Sequence, residues 1–370
     1  MADDDLIYVG TYSEPIPMAN GRVLPGNGEG IHILRLERAT GRLHPVAIAR
    51  GVRNPSYLAI DRARAVLYCV NELKTFEGAD SGAVSAFRID AAGGAPTPLG
   101  TPRASGGADP CHVRIDRDGR HVLVANYTGG SVAVLPIGAD GALQPACAIV
   151  RHAGSGADPR RQAGPHAHAV EIDPAGRFAL VAELGLDRLM IYAFDAHSGQ
   201  LTPNARQPWI AAAPGAGPRQ VALHPGGRFA YAINELDSTL SAYGYDAATG
   251  ALGALQTVST LPAGCTTPNT CAELQIHPGG AFLYGSNRGH DSIAVFAIDP
   301  GTGLLSARGH VSTGGRIPRG FGLSADGRFL VAANQDSDSV VSFAIDPATG
   351  MPTPTGHAIA VGTPVCVRFA

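Results

Sequence analysis

The chain has 370 residues, a formal net charge of −3, 45% hydrophobic residues and 16% charged ones. That balance supports a packed core and excludes a disordered chain and a basic nucleic-acid binder. No apolar run approaches the roughly 18 residues of a membrane-spanning helix, so no membrane partner is expected.

In chain order, the acidic start MADDDLIYVGTY runs directly into a strand pattern over residues 6–12. It lacks the features of a signal peptide, and a cytoplasmic protein is expected. A hairpin pattern then recurs. Its copies are NPSYLAIDRARAVLYCVNEL from Asn54, DPCHVRIDRDGRHVLVANYTGGSV from Asp109 and PHAHAVEIDPAGRFALVAELGLDRL from Pro165. GPRQVALHPGGRFAYAINELDSTLS from Gly217, CAELQIHPGGAFLYGSNRGHDSI from Cys271 and PRGFGLSADGRFLVAANQDSDSV from Pro318 follow. In the Gly217 copy, Val221 and Leu223 alternate with polar neighbours, the HPGG run at His224 supplies the turn, and Phe229, Tyr231 and Ile233 alternate again. Arg219 stands just before the first of these strands and Asn234-Glu235 just after the second.

The last apolar residues of the first strands are Ile60, Ile115, Ile172, Leu223, Ile276 and Leu323, at intervals of 55, 57, 51, 53 and 47 residues. A third strand, a turn such as DAATGAL and a weaker fourth strand follow each hairpin. Four antiparallel strands in a repeat of about 50 residues predict a propeller blade, and no helical periodicity competes. Residues 6–12 read as a second strand lacking its first, and residues 363–370, TPVCVRFA, as a first lacking its second. Together they complete a blade, counted as the first. The expected fold is all-β: one seven-bladed β-propeller domain over residues 1–370, closed by pairing of the N- and C-terminal strands. Insertions at 14–30 (EPIPMANGRVLPGNGEG) and 153–164 (AGSGADPRRQAG) are expected on the rim.

The six cysteines show neither CxxC nor zinc-type spacing. Reduced thiols are expected, with Cys69 and Cys366 buried in strands, although Cys265 and Cys271 flank a loop that an oxidising compartment could close.

In a propeller the first strand of each blade lines the channel, so its start and the end of the second strand face one mouth. The strand-one starts read Ser56, Cys111, His168, Arg219, Ala272, Arg319 and Val365. The strand-two ends read Asn71-Glu72, Asn126-Tyr127, Glu183-Leu184, Asn234-Glu235, Asn287-Arg288 and Asn334-Gln335. The recurring Asn fits a side chain that caps its loop, and the residue after it varies as a functional surface does. The mouth thus gathers Arg219, Arg288 and Arg319, carboxylates of Glu72, Glu235 and Glu183, and His166 and His168, with His112 nearby. Clustered arginines suit a phosphate or carboxylate, and a carboxylate and histidine beside them suit acid–base chemistry. Solvated ion pairs are the alternative for any one of these residues. His166 and His168, at i and i+2, share a strand face and could chelate a metal with Glu183 or Glu235. No third close ligand is evident, so neither metal nor cofactor is expected. His224 and His277 belong to turns on the opposite face. There is no GxSxG, no Walker loop and no dinucleotide-binding glycine motif.

Taken together, PHAHAVEIDPAGRF, ELGLDRL, the Gly217 copy, SNRGHDSI and the Pro318 copy resemble the seven-bladed propeller lactonases, over essentially the whole chain. That family includes a bacterial type of 6-phosphogluconolactonase and the fungal 3-carboxy-cis,cis-muconate lactonizing enzyme. The resemblance implies a catalytic set of His168, Arg219, Glu235 and Arg288. Arg319, His166, Gln335 and Glu183 are expected around the substrate. Many members have threonine before the His-Val of the third blade, where this chain has Cys111-His112. On this basis the expected activity is hydrolysis of 6-phospho-D-glucono-1,5-lactone. Glu235 is the expected base, His168 its partner or the acid, Arg219 the carbonyl clamp, and Arg288 and Arg319 the phosphate clamp. The expected partner is a small sugar-phosphate or carboxylated lactone, and the expected state a monomer or weak homo-oligomer. A muconate-type cycloisomerase would use the same residues. A propeller that only binds is the third possibility, which the 6% aromatic content disfavours.

Overall fold

A single hairpin copy leaves two sheet edges unpaired and both apolar faces uncovered. Stacking seven copies around an axis covers the faces, and closing the ring removes the inner edge problem. The computed structural model, which describes residues 4–17, 21, 23–90 and 94–370, is such a ring. In the first blade the C-terminal strand Pro364–Phe369 pairs with Asp5–Thr11, Val367 opposite Val9, and Gly30–Leu36 and Leu43–Arg50 continue outward. The fifth blade runs Pro218–Leu223, Phe229–Asn234, Thr239–Asp246 and Ala251–Ser259 from channel to rim. Five blades hold four strands, and in the second and fourth the outermost strand is split in two. The insertion at 14–30 pairs Ile16–Pro17 with Val23–Leu24; its residues 18–20 and 22 lie outside the described residues. Among the described residues no helix is long and apolar enough to cross a membrane. All six cysteines are free thiols, with Cys69 and Cys366 buried in strands as expected.

The core lies between blades. Phe229, Tyr231 and Ile233 of the fifth blade pack on Leu274, Leu283 and Phe296 of the sixth. Across the closure, Ile7, Val9 and Val367 pack on Phe329, Val331 and Val340. Hydrogen bonds pin neighbouring blades at repeated positions. Tyr68, Tyr231 and Tyr284 each donate a buried hydroxyl to the turn carbonyl of the next blade, Gly141 at 2.8 Å, Gly303 at 2.9 Å and Gly350 at 2.8 Å. The turn histidines do the same on the outer side of the hairpins. His224 Nδ1 accepts from Gly226 N, which leaves Nε2 to donate to Gly280 O of the next blade at 3.0 Å, and His277 repeats the pattern with Gly327 O.

Within the channel, Arg368 lies 4.3 Å over the Tyr57 ring and 3.3 Å from Glu273, which also accepts from Gln220 and Gln275. These side chains border a cavity of about 720 Å³ that opens on the turn side of the ring; His112, expected near the mouth, lines it instead, whereas Arg219, Glu235, Arg288 and Arg319 do not.

The tyrosine pegs yield a stability test. Tyr231→Phe leaves the Gly303 carbonyl buried and unpaired, which should lower unfolding stability by about 1–3 kcal/mol with little change in fold. Equilibrium denaturation of the variant checks this.

Candidate active site

The mouth is built by one repeated backbone device. The residue after the second strand donates its N–H to the carbonyl of a residue just before the first strand, the immediately preceding one except in the second blade, where Asn54 stands ahead of Leu58–Asp61. The pairs are Tyr12 to Thr363, Glu72 to Asn54, Tyr127 to Asp109, Leu184 to His166, Glu235 to Gly217 and Gln335 to Ile317, at 2.7–3.1 Å. In five of these the acceptor precedes a proline and lies in the left-handed region: Asn54, Asp109, Gly217, Ile317 and Thr363, with φ between 39° and 64°. This conformation is unfavourable for a β-branched residue such as Ile317, which the surrounding bonds hold in place. In the sixth blade Arg288 stays within the ladder, opposite Thr270.

The channel-lining positions are set by bulges. The register slips at Cys111, His168, Arg219 and Arg319, each being the extra residue skipped between two paired neighbours. A bulged residue leaves the alternation of its strand, so its side chain is re-aimed. Arg219 is therefore inside the strand, one residue past its start, and not before it. The recurring asparagines bond differently from the local capping expected of them. Asn71, Asn126, Asn287 and Asn334 donate to backbone carbonyls of Arg53, Ser105, Thr260 and Thr313, in the segments that enter their blades, and Asn234 donates to the hydroxyls of Thr239 and Ser241.

Glu235 is the centre of one half of the mouth. Arg219 Nε and Arg288 Nη2 each lie 2.9 Å from its Oε2, and Arg161 Nη2 lies 2.6 Å from Oε1. His168 Nε2 stands 4.0 Å from Oε2. Burial alone would raise the Glu235 carboxyl, but Arg288, Arg161 and Arg219 outweigh it and hold it well below the usual carboxylate range. Burial, with repulsion from Arg219 and Arg319 overcoming Glu235, pushes Arg288 down to about 10. Burial and then Arg219 hold His168 well below the ordinary histidine range, so its imidazole is neutral at pH 7. A carboxylate held by three guanidinium groups is a poor proton acceptor near neutrality. The base role expected of Glu235 therefore does not suit this geometry, in which Glu235 aligns the arginines instead.

Arg161 was not among the candidates read from the sequence. It comes from the 153–164 insertion, whose turn is anchored by buried Gln162 through bonds to Leu184 O and Asp187 Oδ1. Arg161 also donates to the Tyr127 hydroxyl at 3.2 Å. Tyr127 in turn stacks on His166 at 4.4 Å and meets His168 edge-on at 5.3 Å. The strand face expected to be shared by the two histidines is absent, because His166 precedes strand Ala167–Ile172 and His168 is bulged. Tyr127 joins them instead.

The other half of the mouth contains Tyr12, Glu72 and Arg319. Tyr12 donates to Glu72 Oε1 at 2.9 Å, and the Arg319 guanidinium lies 5.3 Å from the Tyr12 ring centre. Tyr12 is the strand-two end of the first blade, so extending the repeat alignment to LIYVGTY would have found it. Gln335 sits at the equivalent place in the seventh blade, with Nε2 on Asp336 and Oε1 buried without a partner among the described residues. Glu183 departs from its expected role. It occupies the asparagine position of its blade, is fully buried, and is bonded to His152, the His166 amide and Gly185 N. Its carboxylate holds the loop and does not face a substrate. Among the described residues, no three His, Cys, Asp or Glu side chains converge as a metal site.

The depressed Glu235 carboxyl fixes the sign of an acid effect. The folded state takes up this proton at lower pH than the unfolded chain, whose glutamates titrate near about 4.3. The stabilisation is fully present above that value and is lost as pH falls through the folded value. Glu235→Gln should remove this acid dependence and cost roughly 3–5 kcal/mol at neutral pH by leaving buried arginines unpaired. Urea titrations of both proteins at several pH values check it.

Comparison with known proteins agrees with this architecture. The family model for the seven-bladed β-propeller lactonases matches residues 6–369. A 6-phosphogluconolactonase of Bacillus subtilis is 35% identical over 315 residues, 85% of this chain and 83% of that protein. One from Pectobacterium carotovorum is 36% identical over 66% of this chain and 68% of its own length. The solved periplasmic gluconolactonase of Pseudomonas aeruginosa superposes with a TM-score of 0.90 at 32% identity, covering 100% of this chain and 99% of that one. The chain belongs to the seven-bladed β-propeller lactonase family.

Proposed function

We propose that the protein hydrolyses a phosphorylated sugar lactone, with 6-phospho-D-glucono-1,5-lactone as the favoured substrate. The observation that carries this is the charge at the mouth. Arg161, Arg219 and Arg288 surround one carboxylate, Glu235, leaving two positive charges in excess at a largely buried site. A phosphate monoester carries about −1.5 to −2 charge at pH 7 and accepts forked hydrogen bonds, so it matches that excess. The names of the bacterial relatives point to the same substrate class.

Two assignments differ from those expected of the sequence. The phosphate goes to the Glu235-bound arginines. The carbonyl oxygen goes to Arg319, which has no hydrogen-bonded acceptor among the described residues and is held against Tyr12. Charge develops on that oxygen as water adds, and a preorganised guanidinium there stabilises it. His168, neutral and beside Glu235, is placed to hold the substrate through its ring N–H. Phosphorylated sugars do not cross membranes unaided, so a cytoplasmic location goes with this substrate.

Lactone hydrolysis in excess of the spontaneous rate is the direct test, with 6-phosphoglucono-1,5-lactone compared against glucono-1,5-lactone. The phosphorylated substrate should have a kcat/KM about 10–100-fold higher, the worth of one charge-assisted contact. Arg161→Met should raise KM for it and leave the unphosphorylated lactone unaffected, whereas Arg319→Met should lower kcat for both by roughly 100-fold. No turnover of either lactone, with turnover of a carboxylated muconate, would replace hydrolysis by cyclisation.

A further inference from the structure

The mouth holds a second glutamate whose surroundings are the reverse of those of Glu235. Glu72 occupies the same place in the second blade that Glu235 occupies in the fifth, its N–H bonded to Asn54 O as that of Glu235 is to Gly217 O. No arginine among the described residues forms an ion pair with it. Oε1 accepts from Tyr12, and Oε2 is buried next to the Ser56 hydroxyl. Arg319, the guanidinium assigned to the carbonyl oxygen, acts on the same carboxylate from the seventh blade, Ser56 from its own blade, and Asp109 and the Cys111 thiol from the third. We propose that Glu72 is the general base of the reaction, its carboxylate accepting the proton of the attacking water. This assignment rests on the lactonase function proposed above.

Burial raises the Glu72 carboxyl above the ordinary range, opposed in part by Arg319 and Ser56 and helped by Asp109. One glutamate is thus pushed up and the other down, which separates a proton-transfer group from a fixed charge. In the step itself, a water O–H bond breaks and its proton passes to Glu72. The water oxygen bonds to the lactone carbonyl carbon, and the carbonyl π pair moves onto the oxygen held by Arg319. Collapse restores the C=O bond, breaks the ring C–O bond, and returns the proton from Glu72 to the departing ring oxygen. The product is the open-chain hydroxy acid, which releases its carboxyl proton to solvent, and Glu72 is again ionised.

Two measurements test this. The first is kcat and KM across the acid range for wild type, Glu72→Gln and Glu72→Asp. Glu72→Gln should lose roughly 100-fold or more in kcat with little change in KM. The acid limb of the kcat/KM profile should vanish, and Glu72→Asp should restore part of the rate. The second is carbon NMR of labelled glutamate carboxyls in the wild type, with Glu72 assigned from its loss in Glu72→Asp. Its resonance should titrate above about 4.3. Wild-type kcat in Glu72→Gln, or a Glu72 resonance titrating below that value, overturns the proposal and leaves the lactonase function standing. A wild type with no lactonase activity overturns both. Should Glu72→Gln fail to fold, the Glu72→Asp kinetics and the wild-type titration still decide.

Discussion

The N–H of the residue that ends each hairpin, bonded to the carbonyl of the residue that begins it, is the constraint on which the mouth depends. Six blades make this bond, and five of them use a left-handed residue before proline to aim the carbonyl. Proline fixes the following φ and removes a competing donor, so the chain has little freedom where it enters the channel. The bulge beyond the proline then turns the next side chain out of the strand's alternation. Backbone geometry that does not depend on the variable side chains therefore places them, and each blade can carry different chemistry at the same point.

Glu72 and Glu235 illustrate what that separation allows. Their backbones are held alike, yet one carboxylate meets three guanidinium groups and the other a tyrosine hydroxyl. In a site this dry, each nearby cation shifts the balance between charged and neutral carboxyl far more than in water. The difference comes from which residues the neighbouring blades and the 153–164 insertion supply. Arg161 is decisive here. It adds a third cation to Glu235 and ties that carboxylate through Tyr127 to His166 and His168.

Stability and function occupy different layers of the ring. Apolar clusters and tyrosine pegs between blades hold the sheets together, and polar side chains fill the channel. The Glu273, Arg368, Gln220 and Tyr57 cluster lies within the channel, beyond which the turn-side cavity opens. The mouth can therefore carry unbalanced positive charge without loosening the core.

The repeat made the fold legible. Strand alternation, turn residues and the half-blades at each terminus are local signals, and they led to seven blades and to closure by the two terminal strands, whose register the structure sets with Val9 opposite Val367. The same alignment brought Arg219, Glu235, Arg288 and Arg319 to one mouth, because equivalent positions of a ring face the same way. It misplaced Glu183, whose carboxylate does the work of the asparagine found there in other blades. It also passed over Arg161, since an insertion has no counterpart from which its direction can be read. What the sequence determined by itself was the ring and those mouth residues that occupy repeated positions, both fixed by strand period and repeat spacing. Only the tertiary structure decided which charges touch. A carboxyl group's proton affinity is set by distances of a few ångströms between blades far apart in the chain, and no local pattern encodes them.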